Sequence, residues 1–206
     1  MKSAGKAAFV ISIIIGLAGC ASPTIVIEPY FPAPATPPIV GHGSVQLVIE
    51  GTEAIAQLSR YEERGEKTQI GRSESLGVHL SDFWVNEPPP AIIKRILENS
   101  LKTWGYQVAA GPQPVQLHGR VNEFALDSRA ISMIEFQADG LIDVDLNVIK
   151  NGSSAYKGHY AGTCTFKTAT QIPGKENMEK LFNNCIREFQ KRLDEDNLLR
   201  AALTSD

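Results

Sequence analysis

The chain has 206 residues, with 20 basic and 23 acidic side chains and a formal net charge of −3. Its apolar fraction of 43% is ordinary for a soluble protein, so one domain with a single core is expected. Binding to nucleic acid requires clustered Lys and Arg to displace counterions from phosphates, and the sequence contains no such cluster, which excludes that class of partner.

The first 19 residues have the composition of an export signal. Lys2 and Lys6 precede an apolar stretch over residues 7–17, as in the basic start and apolar middle of a signal peptide. The stretch is shorter than the ~20 residues that a helix needs to cross a bilayer. Residues 1–19 are therefore predicted to be a cleaved signal peptide rather than a spanning anchor.

The signal ends in a match to the bacterial lipobox, Leu17-Ala18-Gly19-Cys20. Small residues let the signal peptidase approach, and the thiol takes up a diacylglycerol. We predict that Cys20 is acylated and that its acyl chains anchor the protein to a membrane. The alternative is an ordinary secretory signal followed by a chance cysteine. Because no aspartate follows Cys20, the expected location is the outer membrane, facing the periplasm.

Residues 20–42 are predicted to form a tether, and residues 43–206 a single α+β periplasmic domain. The tether is rich in proline, which favours extended geometry with a reach of roughly 70 Å at ~3.1 Å per residue. The alternative is a proline-rich strand packed on the domain, because several residues of the segment are apolar: Ile25, Val26, Ile27, Tyr30 and Phe31.

The domain begins with extended segments and a helix. Val45, Leu47 and Ile49 alternate with polar residues and predict a first strand; residues 68–73 and 78–85 are further candidates. Three prolines, residues 88–90, suit the entry to a helix. Apolar residues at three- and four-residue spacing then predict a helix of about 14 residues, which ends where Gly105 supplies a left-handed cap.

Three alternating segments and a second helix follow. The strands contain residues 115–121, 136–148 and 156–166, and Asn151-Gly152 predicts a tight hairpin between the last two. The helix covers residues 175–194. The resulting prediction is a two-layer sandwich in the order strand, strand, helix, three-strand meander, helix, with an antiparallel sheet covered on one face by the two helices.

Cys164 and Cys185 lie on the inward faces of the last strand and the last helix. If the helix covers the sheet, the two sulfurs enter the same layer, and an exported protein folds in an oxidising compartment. A disulfide is therefore predicted. The alternative is a pair of buried free thiols that pack as small apolar groups.

The sequence carries no recognised catalytic or metal-binding motif, and we expect no enzyme, no metal and no cofactor. The four histidines lack metal-ligand spacing, although His118 and His159 could approach each other across the sheet. Asp139, Asp143 and Asp145 share the outward face of one strand, where a cation site or an acid–base pair is the alternative to plain surface polarity.

Several features together resemble the YajG-type lipoproteins of proteobacteria. They are the lipobox, the proline-rich segment, Trp104-Gly105-Tyr106, Asn151-Gly152, residues 156–160 and the long last helix. The resemblance implies an outer-membrane lipoprotein with a periplasmic domain and no settled activity, and it assigns no functional residue beyond Cys20.

Three functions follow from these predictions. The first is a non-catalytic interaction module, anchored to the membrane, that binds an envelope protein. The second is an accessory carrier of lipid or another apolar ligand, suggested by the apolar residues between Leu76 and Val85, including Phe83 and Trp84. The third is an enzyme acting on cell-wall material, which would require Asp139, Asp143 or Glu135 to meet in a cleft.

Overall fold

Nine strands and three helices make up the part of the chain that the computed structural model describes, residues 23–31, 43–50, 63–64, 67–169 and 173–204. Leu17, Ala18, Gly19 and Cys20 lie outside the described residues. The strands are β1 (Thr24–Ile27), β2 (Ser44–Glu50), β3 (Glu63–Arg64), β4 (Lys67–Ser75), β5 (Val78–Val85), β6 (Gln107–Ala109), β7 (Val115–Ala130), β8 (Glu135–Lys150) and β9 (Ser153–Ala169), and the helices are α1 (Pro89–Thr103), α2 (Lys175–Glu195) and α3 (Asn197–Leu203).

The sheet is mixed, so the prediction of an antiparallel sheet is wrong. Strands β7, β8 and β9 form the expected antiparallel meander, but β2 runs parallel to both β6 and β7, β4 runs parallel to β7, and β1 runs parallel to β5. Alternating apolar residues indicate which face of a strand is buried. They carry no information on the direction of its neighbours.

The sheet curls around its helices instead of forming one flat layer of a two-layer sandwich. Helix α1 packs on β2, β6 and β7, while α2 packs on β8 and β9. Strand β1, at the far end of the strand order, also contacts α2. The fold is therefore α+β, with a curled mixed sheet, the two expected helices and the short additional helix α3.

The meander is longer than the alternation in the sequence indicates. A β-bulge lies between Val121 and Glu123, where one extra residue shifts the alternation by one position. Val121 and Phe124 are both buried as a result, and β7 continues to Ala130. The turn at Asn151-Gly152 is confirmed, with φ values of 50° and 81°.

Both predicted helices are confirmed. Helix α1 begins at Pro89 and is followed by Gly105 at φ 88°. Helix α2 runs from Lys175 to Glu195, and the apolar residues expected to face the sheet are buried: Met178, Leu181, Phe182, Cys185, Ile186, Phe189 and Leu193.

Residues 24–27 do not belong to a free tether. They form β1, which pairs with β5 over the register Thr24–Asp82 to Ile27–Val85, and the Ile27 side chain is completely buried. For these residues the alternative prediction, a strand packed on the domain, is the one found. The physical reason is that β5 offers an open edge, and Ile27 removes apolar surface from water there.

Phe83 and Trp84, two of the residues that suggested a carrier of apolar ligands, are core residues of β5. Phe83 is completely buried and Trp84 is 3% exposed. Phe83 belongs to the same hydrophobic cluster as the apolar residues of α1 and α2. Their apolar character is therefore explained by packing.

Candidate functional site

A shallow groove of about 660 Å³ lies on the outer face of the meander. Side chains at alternate positions of β7, β8 and β9 point away from the helices and line it, because the positions between them fill the core. The polar lining residues are Glu50, His118, Arg120, Asp145, Asn147, Lys157 and His159.

The register arranges the charges of the groove in a row across four strands. Glu50 lies opposite Arg120, Arg120 opposite Asp145, and Asp145 opposite His159. Facing residues of opposite charge stabilise a sheet modestly. A second row, His118, Asn147 and Lys157, lies beside the first.

His159 is held between two carboxylates. Its Nδ1 lies 2.8 Å from Asp145 Oδ1, and its Nε2 lies 3.4 Å from Asp143 Oδ2. The hydrogen bond with Asp145, followed by the charge of Asp143, raises the pKa of His159. Two acceptors around one ring favour the imidazolium form, in which both ring nitrogens carry a proton.

Asn122 completes the support of the two carboxylates. Its Nδ2 donates to Asp143 Oδ1 at 3.0 Å. The Asn122 amide and then the hydrogen bond with His159 lower the pKa of Asp145, and the nearby charge of Arg120 adds to the effect.

His118 lies in the same groove but has its own partners. Its Nε2 lies 2.9 Å from Gln116 Oε1, and its Nδ1 lies 3.4 Å from Glu50 Oε1. The structure thus brings His118 and His159 to one groove with separate acidic partners. Among the described residues, no three His, Cys, Asp or Glu side chains are grouped as metal ligands would be.

The three aspartates of β8 are divided between two places. Asp143 and Asp145 contact His159, whereas Asp139 accepts hydrogen bonds from Gln137 and Thr165 near the other end of the strand. Glu135 is exposed at the first position of β8. The structure does not bring Asp139 or Glu135 to the groove.

A partly buried cluster of two tyrosines and an aspartate was not predicted from the sequence. The hydroxyls of Tyr156 and Tyr160 donate to Asp196 Oδ2 at 2.5 and 2.8 Å, while Asp196 Oδ1 accepts from the backbone amides of Leu198 and Leu199 at the start of α3. The spacing Tyr-x-Gly-x-Tyr and an aspartate before a helix were the available signals.

The pKa shifts in this cluster follow from burial and charge. Burial, followed for Tyr156 by the contact with Asp196, raises the pKa of both tyrosines. Burial opposes ionisation of Asp196, but hydrogen bonds from the tyrosines and from the α3 amides outweigh it and lower the pKa. The cluster fixes α3 to β9 and is a structural element of the domain.

Cys164 and Cys185 are joined by a disulfide with a Cα–Cα distance of 5.2 Å. The bond connects β9 to α2. Gly140 makes room for it, because a Cβ at this position would collide with the sulfur of Cys185. A Cβ at Gly162 would lie 2.5 Å from the carbonyl oxygen of Cys185, so the two glycines let the helix approach the sheet closely.

No family model and no curated protein matches the chain. The fold places it among α+β domains with a curled sheet covered by helices. It is similar to the crystal structure of protein XCC0632 from Xanthomonas campestris, of the family DUF330, with a TM-score of 0.51 and 11% identity over 87% of this chain and 97% of that one. At this identity the similarity shows a shared fold.

Two bacterial lipoproteins are similar at a lower level. A minor lipoprotein from Acinetobacter baumannii has a TM-score of 0.41 and 9% identity over 79% of this chain and 95% of that one. The rare lipoprotein B from Shewanella oneidensis has a TM-score of 0.38 and 9% identity over 75% and 98%. The resemblance to YajG-type lipoproteins stays a prediction from the sequence.

Proposed function

We propose that the chain is an outer-membrane lipoprotein, acylated on Cys20, whose periplasmic domain is a non-catalytic binding module. The observation that carries the proposal is Leu17-Ala18-Gly19-Cys20 directly after a basic and apolar leader. Among the described residues, no helix is long and apolar enough to span a bilayer.

The groove on the meander is the surface that we assign to binding. It is open and carries both signs of charge in adjacent positions, from Glu50 to His159. Such a pattern suits a polar partner with complementary charges, for which electrostatics supply specificity and orientation.

The chemistry of His159 supports a binding role over catalysis. A general base needs a free lone pair, whereas each ring nitrogen of His159 faces a carboxylate. The raised pKa of His159 further favours the form without a lone pair. The carrier function is less well supported, because Phe83 and Trp84 are packed in the core.

Substitution of Cys20 tests the anchor. We expect Cys20→Ser to abolish incorporation of labelled fatty acid and to remove the protein from the outer-membrane fraction of a density gradient, because the acylated thiol is lost. Ser22→Ala, two residues further on, is the control and should behave as the parent. Unchanged labelling and fractionation of Cys20→Ser would contradict the proposal.

Crosslinking in cells tests the groove. A photoreactive amino acid at Lys157, inside the groove, is expected to give a discrete protein adduct, and one at Glu188, on the exposed side of α2, is the control. Arg120→Glu should reduce the adduct because it reverses a charge in the groove. Equal adducts from positions 157 and 188, or none from 157, would count against this surface.

A further inference from the structure

Two hairpin tips of the domain expose large apolar side chains. The tip between β4 and β5 exposes Leu76 to 88% and Val78 to 60%. The tip between β7 and β8 exposes Met133 to 97% and Ile134 to 62%. Single exposed apolar residues are common on soluble proteins, but a group of them indicates an interaction surface.

The two tips lie side by side. Strands β4 and β7 run parallel, with Ser73 opposite Ser128 and Glu74 opposite Arg129. Each strand enters its tip only a few residues later, so neighbouring strands deliver both turns to the same end of the sheet. The exposed apolar residues therefore form one surface, which we call the tip surface: Leu76, Val78, Ile131, Met133 and Ile134.

The turn at Leu76 carries a second signal. Leu76 and Gly77 have φ values of 51° and 77°, nearly the same as the 50° and 81° of Asn151 and Gly152 at the opposite end of the sheet. Asparagine tolerates this left-handed geometry, whereas leucine is strained in it. Leucine at position 76 is thus unfavourable both in the backbone geometry of the turn and in its exposure to water. This combination indicates that the Leu76 side chain contacts another molecule.

The described chain begins close to the tip surface, only a few residues after the proposed lipid attachment site. The Asp82 amide donates to the carbonyl oxygen of Pro23, and β1 runs parallel to β5 from that point. Cys20 is three residues before Pro23, which limits the separation of their Cα atoms to about 11 Å. Val78 is four residues before Asp82 on β5, or about 13 Å along the strand.

We infer that the tip surface inserts into the interface of the same bilayer that holds the acyl chains of Cys20. The inference rests on the proposed lipidation. The short link from Cys20 to Pro23 keeps the first residues of β5 near the membrane surface. Apolar side chains on the two adjacent turns can then be buried in the bilayer interface, as interfacial anchors are.

Apolar contact rather than charge attaches the tip surface. Arg72 and Arg129 lie at the bases of the two tips, but each has an acidic neighbour, Glu74 at 3.1 Å and Asp139 at 3.9 Å respectively. The docking should therefore depend little on salt, in contrast to binding through a polybasic patch.

Fluorescence of the full-length acylated protein in vesicles of phosphatidylethanolamine and phosphatidylglycerol tests the inference. Met133→Cys adds a free thiol for an environment-sensitive label, and Ser153→Cys at the opposite end of the sheet is the matched control. We expect blue-shifted emission at position 133, with quenching by lipids that carry a nitroxide on the acyl chain, and neither effect at position 153.

Leu76→Asn provides a second variant that should fold at least as well, because asparagine suits the turn. Combined with the label at position 133, it is expected to reduce the quenching by lipid nitroxides. If neither lipid nitroxides nor water-soluble quenchers reach the label at position 133, the tip surface is covered by protein, and the inference is overturned.

The outcomes separate this inference from the proposed function. If the protein is acylated and sediments with vesicles while both labels report water, the docking is wrong and the lipoprotein assignment stands. If the protein is not acylated, the lipoprotein assignment and the docking are both wrong.

Discussion

His159 illustrates how much of a polar site depends on one position of strand register. A two-residue turn at Asn151-Gly152 with regular pairing would set Gly158 opposite Asp145. A bulge between Val148 and Ile149 shifts the pairing by one residue and brings His159 there instead. The sequence predicted the outward faces of both strands, but it could not predict the bulge and therefore missed the pair.

The pKa of His159 should respond to Asp145 and not to Asp139. Asp145→Asn removes the hydrogen-bonding charge at 2.8 Å, so the pKa of His159 is expected to fall toward the unperturbed value of about 6.5. Asp139→Asn is the matched control on the same strand face, because Asp139 contacts Gln137 and Thr165 instead. Titration of the imidazole by NMR measures the pKa of His159 in both variants. Equal changes of this pKa would refute the assigned geometry.

The pKa shifts of His159 and Asp145 determine how the stability of the fold changes with pH. His159 has a raised pKa, so its stabilisation is complete below about pH 6.5 and is lost as the pH rises through the folded-state pKa. Asp145 has a lowered pKa, so its stabilisation is present above about pH 3.9 and is lost as the pH falls through the folded-state pKa. Because both side chains are exposed, the pair should contribute less than about 1 kcal/mol.

At the scale of elements, periodicity predicted the helices and the meander well and the short strands poorly. Helix α2 has seven apolar residues in one stripe, and all of them are buried. Strand β1 has only four residues among prolines, so composition favoured a tether. Its pairing with β5 is a long-range contact that local patterns do not encode.

Substitution of Ile27 distinguishes a strand from a tether. Ile27→Ala is expected to lower the free energy of unfolding by about 2–5 kcal/mol, because it leaves a cavity in the core. Val26→Ala on the same strand is the control and should cost clearly less, because Val26 is only partly buried. Denaturant unfolding measures the free energy of unfolding of both variants. Equally small losses would show that residues 24–27 belong to the tether and not to the folded sheet.

At the scale of the whole molecule, the sequence predicted the composition of the core but not the path of the sheet. The apolar faces of α1, α2 and the meander were all identified, and they all meet in one cluster. The parallel pairing of β2 with β7 joins segments separated by four strands and a helix. The order of the strands in the sheet depends on the sheet as a whole, and no single stretch of residues specifies it.

The length of β8 fixes how far the groove stands from the tip surface. From Glu135, beside the tips, to Asn147, in the groove, the strand rises by roughly 40 Å at about 3.3 Å per residue. With the tips in the bilayer, a stiff ribbon of hydrogen-bonded strands would present the groove at a set height in the periplasm. A protein bound there would be held at a constant distance from the lipid, and lengthening the hairpins would move it outward in steps of one residue pair.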